Sequence, residues 1–300
     1  MVDAKDFQII RSILREPFAS FTAIGGPLGL SGVTVKARLE RLRRDGAVQV
    51  WGVPDPAVFR RHARFFVYGR ISRRRLAFAL ARKSETVVRA AEGHERSFEL
   101  VTYADTEDAG PPPEFVRRFG DPHFAATMHL SDPKESDCVL SPLDWRVLLP
   151  LVRNPRTPVQ ELASATGLSR KTVRLHREAL VRKKLLNVLP FLAGAQAPGF
   201  VLYRLFLWMP STSVGDRQRI LGALPGTIFN AWTEEPAGLW LAGAAPTMAH
   251  LLRLRDQAER LPGILRVEYD VFLRNEPFPE RLEGWIRAEL ERWETGRRRT

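Results

Sequence analysis

The chain has 300 residues, 44% hydrophobic and 27% charged, enough for several domains with their own cores. Its 46 Lys and Arg against 34 Asp and Glu leave a net charge of +12, which points towards nucleic acid or an anionic surface as partner. A single cysteine, Cys138, excludes an intrachain disulfide and a thiolate metal cluster; with no secretory h-region and no apolar run of bilayer length, a cytoplasmic protein that neither enters a membrane nor holds a metal is expected.

The first apolar periodicity predicts a helix over 6–15, with Asp6 as its N-cap and Pro17 stopping it. A short second helix over 21–26 follows, then a Gly-Leu-Ser turn. Ser31 caps a third helix that runs to about Asp45, with Val35, Leu39 and Leu42 on its core stripe. "AVQVWGV" then reads as an extended wing. Three short helices with a tight turn before the last and a wing after it make a winged helix-turn-helix, whose third helix has an outer face free to enter a major groove. That face carries Gly32, Val33, Lys36, Ala37 and Glu40.

After a basic stretch, Arg60–Arg75, the pattern reads strand 65–71, helix 74–83, strands 85–91 and 97–104, helix 113–119 and strand 123–130. Pro111-Pro112-Pro113 marks an exposed loop and 131–142 a linker. At 143 the first pattern starts again. Residues 5–50 overlie 143–188 without a gap at an offset of 138, with twelve identities, among them Asp6/Asp144, Gly29/Gly167, Leu30/Leu168, Ser31/Ser169, Thr34/Thr172, Val35/Val173 and Leu42/Leu180. The second copy has helices at 144–153, capped by Asp144, at 159–165, and from Ser169 to about Lys183, then the extended "LLNVLPFL". Its outer face carries Arg170, Lys171, Arg174, Leu175 and Glu178. The two copies hold +4 and +7 of the chain's +12, so the basic charge sits on the candidate DNA readers. Arg170, Lys171 and Arg174 suit guanine edges or phosphates alike, and the hydroxyls of Ser31, Thr34, Ser169 and Thr172 suit caps or phosphates. Arg38 and His176, at matching positions, together with Arg41 and Arg177, complete the candidate DNA-binding set.

The stretch after the second copy reads strand 200–209, helix 214–224 ended by Pro225-Gly226, strands 227–233 and 238–244 joined by a hairpin at 234–237, helix 247–261 and strand 265–273. This βαββαβ order is ferredoxin-like, and the stretch after the first copy follows it. Trp208, Trp232 and Trp240 are placed in the second sheet's core or between sheets. A helix at 279–293 and the basic tail Arg297-Arg298-Arg299 end the chain. The expected fold class is α+β: two winged helix-turn-helix domains (1–60 and 140–192) alternating with two ferredoxin-like domains (61–132 and 198–276), then the C-terminal segment 277–300.

"LGLSGVTVKARLERLRRDGAV" (Leu28–Val48) and "TGLSRKTVRLHREALVRKKLL" (Thr166–Leu186) resemble the Leu-Ser-x-x-Thr-Val-x-x-Arg-Leu-x-x-Leu-x-x-x-Gly-hydrophobic pattern of the Lrp/AsnC regulators; the second copy has His176 and Lys184 where the first keeps Arg38 and Gly46. The resemblance runs over nearly the whole chain, twice. It implies a transcription regulator of double-stranded DNA, with no cofactor, whose ferredoxin-like (RAM-like) domains pair, here within one chain as a fused pseudo-dimer reading two unlike half-sites. An amino-acid effector at those domains is implied too, although the family's glycine-rich effector loop is not evident in either half. A monomeric pseudo-dimer and a homo-oligomer are both allowed. Two rivals stand beside this reading. Sirohaem decarboxylases share the architecture and bind a tetrapyrrole in the βαββαβ part, where His94, His123, His129 and His250 lie. A protein-interaction scaffold with inactive readers is the other. The sequence has no Walker loop, zinc-spaced ligands or GxSxG elbow.

Overall fold

The computed structural model describes residues 3–16, 18–94, 97–131, 137–192, 201–224 and 227–297. Pro17, Pro225-Gly226, linker residues 132–136, Phe200, and Arg298 and Arg299 of the basic tail lie outside them.

The first reader comprises α1 (Ala4–Arg15), α2 (Phe21–Gly25), α3 (Gly32–Arg44) and strand β1 (Val48–Pro54). Its N-cap is Asp3 rather than Asp6. The two carboxylates form a capping box: Asp6 N–H donates to Asp3 (2.8 Å) and Asp3 N–H to Asp6 (3.1 Å). The second reader, α6 (Pro142–Arg153), α7 (Val159–Thr166), α8 (Arg170–Arg182) and β6 (Leu186–Leu192), makes the same correction, with Ser141 as cap and Asp144 three residues in. In each case apolar periodicity begins one turn after the helix does. The repeat extends to backbone conformation. Gly46, just past α3, has φ +67°, and its counterpart Lys184, just past α8, has φ +61°.

The expected wings do not stand alone. β1 pairs antiparallel with β6, from Val48↔Leu192 to Pro54↔Leu186, so the two readers share one ribbon. The ribbon lies close on α6: a Cβ at Gly52 would come within 2.3 Å of the Leu151 carbonyl oxygen.

The first ferredoxin-like unit is β2 (His62–Tyr68), α4 (Arg74–Lys83), β3 (Val87–Gly93), β4 (Phe98–Ala104), α5 (Pro113–Phe119) and β5 (Phe124–Thr127). The second is β7 (Val201–Trp208), α9 (Val214–Ala223), β8 (Thr227–Thr233), β9 (Gly238–Ala245), α10 (Met248–Glu259) and β10 (Arg266–Pro277); helix α11 (Pro279–Arg297) follows. Four strands sit differently from the sequence expectation: β3 lies two residues further on, at Val87–Gly93, and β5 keeps only Phe124–Thr127 of the expected 123–130. β2 starts at His62, where pairing with Ala104 begins, and runs only to Tyr68. β10 continues to Pro277 because its far half pairs with β3.

All eight strands form one antiparallel sheet, β5-β2-β4-β3-β10-β7-β9-β8. Its ends meet through a single bridge: His129 N–H donates to Trp232 O (2.8 Å) and Trp232 N–H to His129 O (3.1 Å). The two halves thus face each other. Alternation along β2 sends Phe65 and Val67 inward and Phe66 and Tyr68 outward under α4 and α5. Along β7, Phe206 goes inward, and Leu205 and Leu207 outward under α9 and α10. The Trp240 ring lies 4.3 Å from Phe65 across the interior, Trp208 packs on Phe124 and Phe206, and Trp232 stacks on His129.

Two buried carboxylates, Glu99 and Asp270, and two half-buried arginines meet at the β3–β10 seam. Arg89 binds Glu99 (3.2 Å) and Asn275 (2.8 Å), while Arg204 bridges Glu99 and Asp270. Asp270 also accepts from His94 N–H (2.9 Å) and Ser97. Beside this cluster the inner faces leave a cavity of about 120 Å³.

A non-glycine residue with φ near +60° costs about 1 kcal/mol or more. Replacing Lys184 by glycine is therefore expected to raise stability by about 0.5–1 kcal/mol, net of the freedom glycine adds to the unfolded chain, seen as a higher urea midpoint.

Candidate nucleic-acid interface

The two third helices are built alike. Ser31 accepts from Thr34 N–H (3.1 Å) and sits 2.8 Å from its hydroxyl; Ser169 and Thr172 repeat both distances. Val35, Leu39 and Leu42 on α3, and Val173 and Leu180 on α8, are buried. What remains outside differs. On α3, Val33 is 80% exposed, Lys36 pairs with Glu40 along the helix (3.7 Å), and half-buried Gly32 packs against Thr22. On α8, Arg170, Lys171 and Arg174 are exposed, with no ion-pair partner among the described residues, and Leu175 is 61% exposed. Leu175 is an exposed apolar side chain within that cationic face.

Arg38, Arg41 and His176 point elsewhere. Arg38 binds Asp3 (2.7 Å) and Asp6 (2.8 Å), and Arg41 binds Asp6 (2.5 Å), whose side chain is fully buried. In the second reader His176 Nδ1 lies 2.6 Å from Asp144. These are the same pair in both copies, since Asp6 matches Asp144 and Arg38 matches His176. Each pins the third helix to the first. The shared aspartate opposite a base at constant spacing was the signal for this pin; reading Asp6 and Asp144 as N-caps concealed it.

Arg177 turns to the other reader. Its guanidinium lies 4.5 Å over the Phe18 ring and donates to Thr157 O (3.4 Å). Beside it, Arg156 lies 4.7 Å over Phe21 and donates to Ala19 O (2.7 Å), and Arg43 donates to Asn154 (3.0 Å). Burial first, then the charges of Arg43 and Arg177, push Arg156 down to about 10. The loops between first and second helices of the two readers therefore touch through an arginine-aromatic seam, which no repeat or motif announced.

Among the described residues no group of three or more His, Cys, Asp or Glu could hold a metal ion, and no helix is long and apolar enough to cross a membrane. His94 and His123 are exposed, His250 is half-buried at the start of α10 and His129 is on Trp232; none lines the interior cavity.

The winged helix-turn-helix DNA-binding family matches residues 2–49 and 140–186, the two readers. No curated protein sequence matches the chain. Among solved structures, the siroheme decarboxylase NirDL is similar over 96% of this chain and 99% of its own, at 13% identity and TM-score 0.52. E. coli AsnC aligns with 47% of this chain and 96% of its own (18% identity, TM-score 0.33), and an AsnC family transcriptional regulator from Agrobacterium tumefaciens with 44% and 89% (15%, 0.33). The likeness to NirDL is one of fold. The chain is a tandem duplication in an α+β fold and carries two winged helix-turn-helix DNA-binding domains.

Burial pushes the Asp144 carboxyl up, but hydrogen bonds from His176 and Ser141 outweigh it and hold it below the ordinary 3.8. A depressed folded value stabilises above the unfolded value and is lost as pH falls through the folded one. In acid titrations followed by circular dichroism, the stability margin of the native chain over Asp144→Asn is expected to hold above pH 3.8 and to shrink below it.

Proposed function

We propose that this protein is a sequence-specific transcription regulator of Lrp/AsnC type. It binds duplex DNA through α3 and α8 and reads two unlike half-sites from a single chain. The observation that carries this reading is one scaffold with two different exposed faces. Identical caps and matching core stripes present Arg170, Lys171 and Arg174 in one copy, and Val33, Lys36 and Ala37 in the other. Arginine and lysine hydrogen-bond guanine O6 and N7, whereas a small apolar side chain meets the thymine methyl, so the α8 half-site is guanine-rich and the α3 half-site contains thymine. Ser31, Thr34, Ser169 and Thr172 stand at helix N-termini, where hydroxyls and N–H groups hold phosphates. Arg38, Arg41, His176 and Arg177 contribute by holding the helices in place.

A second reading, a sirohaem decarboxylase-like enzyme, is favoured by one observation, the full-length likeness of fold to NirDL. The interior between the sheets fits a tetrapyrrole poorly. Its wall has no histidine, and its charged groups Arg89, Glu99 and Arg204 are bound to one another. A shifted Soret band with release of carbon dioxide on mixing with sirohaem would reverse this preference. Retention on heparin that ignores competing duplex would instead favour the scaffold.

Reversing Arg170, Lys171 and Arg174 to glutamate is expected to weaken binding to a selected genomic fragment by at least about a hundredfold, since each base-reading cation contributes roughly 1–3 kcal/mol. It is also expected to flatten the salt dependence. Unaltered affinity of the folded triple variant in a gel-shift assay would remove α8 from the reading surface.

A further inference from the structure

Each reading helix is tied to the opposite reader, which contact with DNA alone does not require. Arg43, in the last turn of α3, donates to Asn154 at the end of α6 (3.0 Å). Arg177, on α8, lies 4.5 Å over the Phe18 ring. Beside them Arg156 lies 4.7 Å over Phe21 and donates to Ala19 O (2.7 Å). All three guanidiniums are half-buried. Like charges brought together out of water are unfavourable unless each is held, and here rings, carbonyls and an amide oxygen hold them. The seam also favours unlike partners. The offset of 138 equates Phe18 with Arg156, so two copies of the second reader paired in this way would set Arg177 against Arg156. The ribbon joins the readers at their wings, and the seam joins them at the turns after their first helices. A single line of contact is a hinge, whereas a second contact away from it stops one reader from swinging about the other.

We propose that this seam sets the spacing of the half-sites. Phe18, Phe21, Arg156 and Arg177 are positioning residues that hold α3 and α8 at one separation and angle, so that both helices engage a duplex at one half-site spacing only. This rests on the assignment of α3 and α8 as the reading helices. Two base pairs inserted between half-sites move them about 7 Å apart and turn one by about a fifth of a turn around the duplex, a change that two helices held together cannot follow.

Two measurements on the full chain test this, and the first needs no DNA. Arg44 and Arg182, the exposed last residues of α3 and α8, are replaced by cysteine and spin-labelled in a Cys138→Ser background, and the distance between the labels is read by pulsed electron paramagnetic resonance. A single narrow distribution is expected with the seam intact, and a clearly broader one with Phe18→Ala and Arg156→Ala added. The second measurement is affinity, by gel shift, for a selected genomic fragment and for the same fragment with two base pairs inserted between its half-sites. The native chain is expected to lose at least about tenfold on insertion and the double seam variant less than about threefold, because loosely tethered readers adapt to either spacing. A broad distribution with the seam intact overturns the proposal and needs no seam variant. A folded seam variant that keeps the narrow distribution or the full insertion penalty also overturns it, since the ribbon alone then sets the spacing. A narrow distribution together with no binding of any duplex instead overturns the reader assignment, and the spacing with it.

Discussion

A lone wing strand after a three-helix reader leaves the polar groups of both its edges unpaired, and the pairing of β1 with β6 removes that problem along one edge of each. Seven residue pairs run from Val48↔Leu192 to Pro54↔Leu186, and each strand is the continuation of a different reader. Buried peptide groups left unpaired are costly, so each reader is completed by the other copy. Val188 of β6 enters the first reader's core, and Gly52 of β1 lies against the first helix of the second. The two readers are thereby fixed to one another through main chain. The arginine-aromatic seam of Arg156 and Arg177 on Phe21 and Phe18 adds a second contact between them.

The duplication is not symmetric, and the differences have physical consequences. The counterpart of the β3–β10 seam lies between β5 and β8. There β5 has only four residues against twelve in β10, and a single bridge, His129 to Trp232, replaces a ladder. The cores differ in the same sense. The first reader packs around Ile9, Ile13, Val35 and Leu39 as a cluster of its own. The second reader's Trp145, Leu148 and Leu151 run into the sheet interior and into Leu282 and Ile286 of α11. Arg153 clasps Glu283 on that helix with two hydrogen bonds. The more basic reader is thus the one built into the body of the protein, while the other is attached mainly by the ribbon and the seam.

Much of this was legible from the residues. The ungapped repeat and the Gly-Leu-Ser turns located both readers, and the third helices, the helices at 113–119 and 214–223 and the strand at 227–233 follow from local periodicity and turn chemistry. The misplaced strand ends and pairings share one cause, whereas the helix caps are displaced because apolar periodicity starts one turn inside each helix. Where β2 begins, how far β10 extends and what the wings pair with depend on residues more than a hundred positions away, or on a strand across the sheet, and local pattern carries no signal for them. The candidate site divides in the same way. Exposure of Arg170, Lys171, Arg174 and Val33 follows from helix phase. The engagement of Arg38 and His176 is written in the sequence as an aspartate and a base kept 32 positions apart in both copies, a signal that local periodicity does not read.

Charge placement links these parts. In the sheet interior two arginines and two carboxylates neutralise one another at a seam between strands of different halves, an arrangement that tolerates burial only because every partner is present. On α3, the basic side chains Arg38 and Arg41 are matched by Asp3 and Asp6, so part of that reader's positive charge is already paired. On α8, only His176 is taken up in this way, and Arg170, Lys171, Arg174 and Arg182 are exposed without an ion-pair partner among the described residues. A copy that satisfies its charges internally and a copy that leaves them available differ in what they offer to a polyanion. The exposed, unpaired cations are therefore concentrated on α8, whereas the outer face of α3 presents the exposed apolar side chain of Val33.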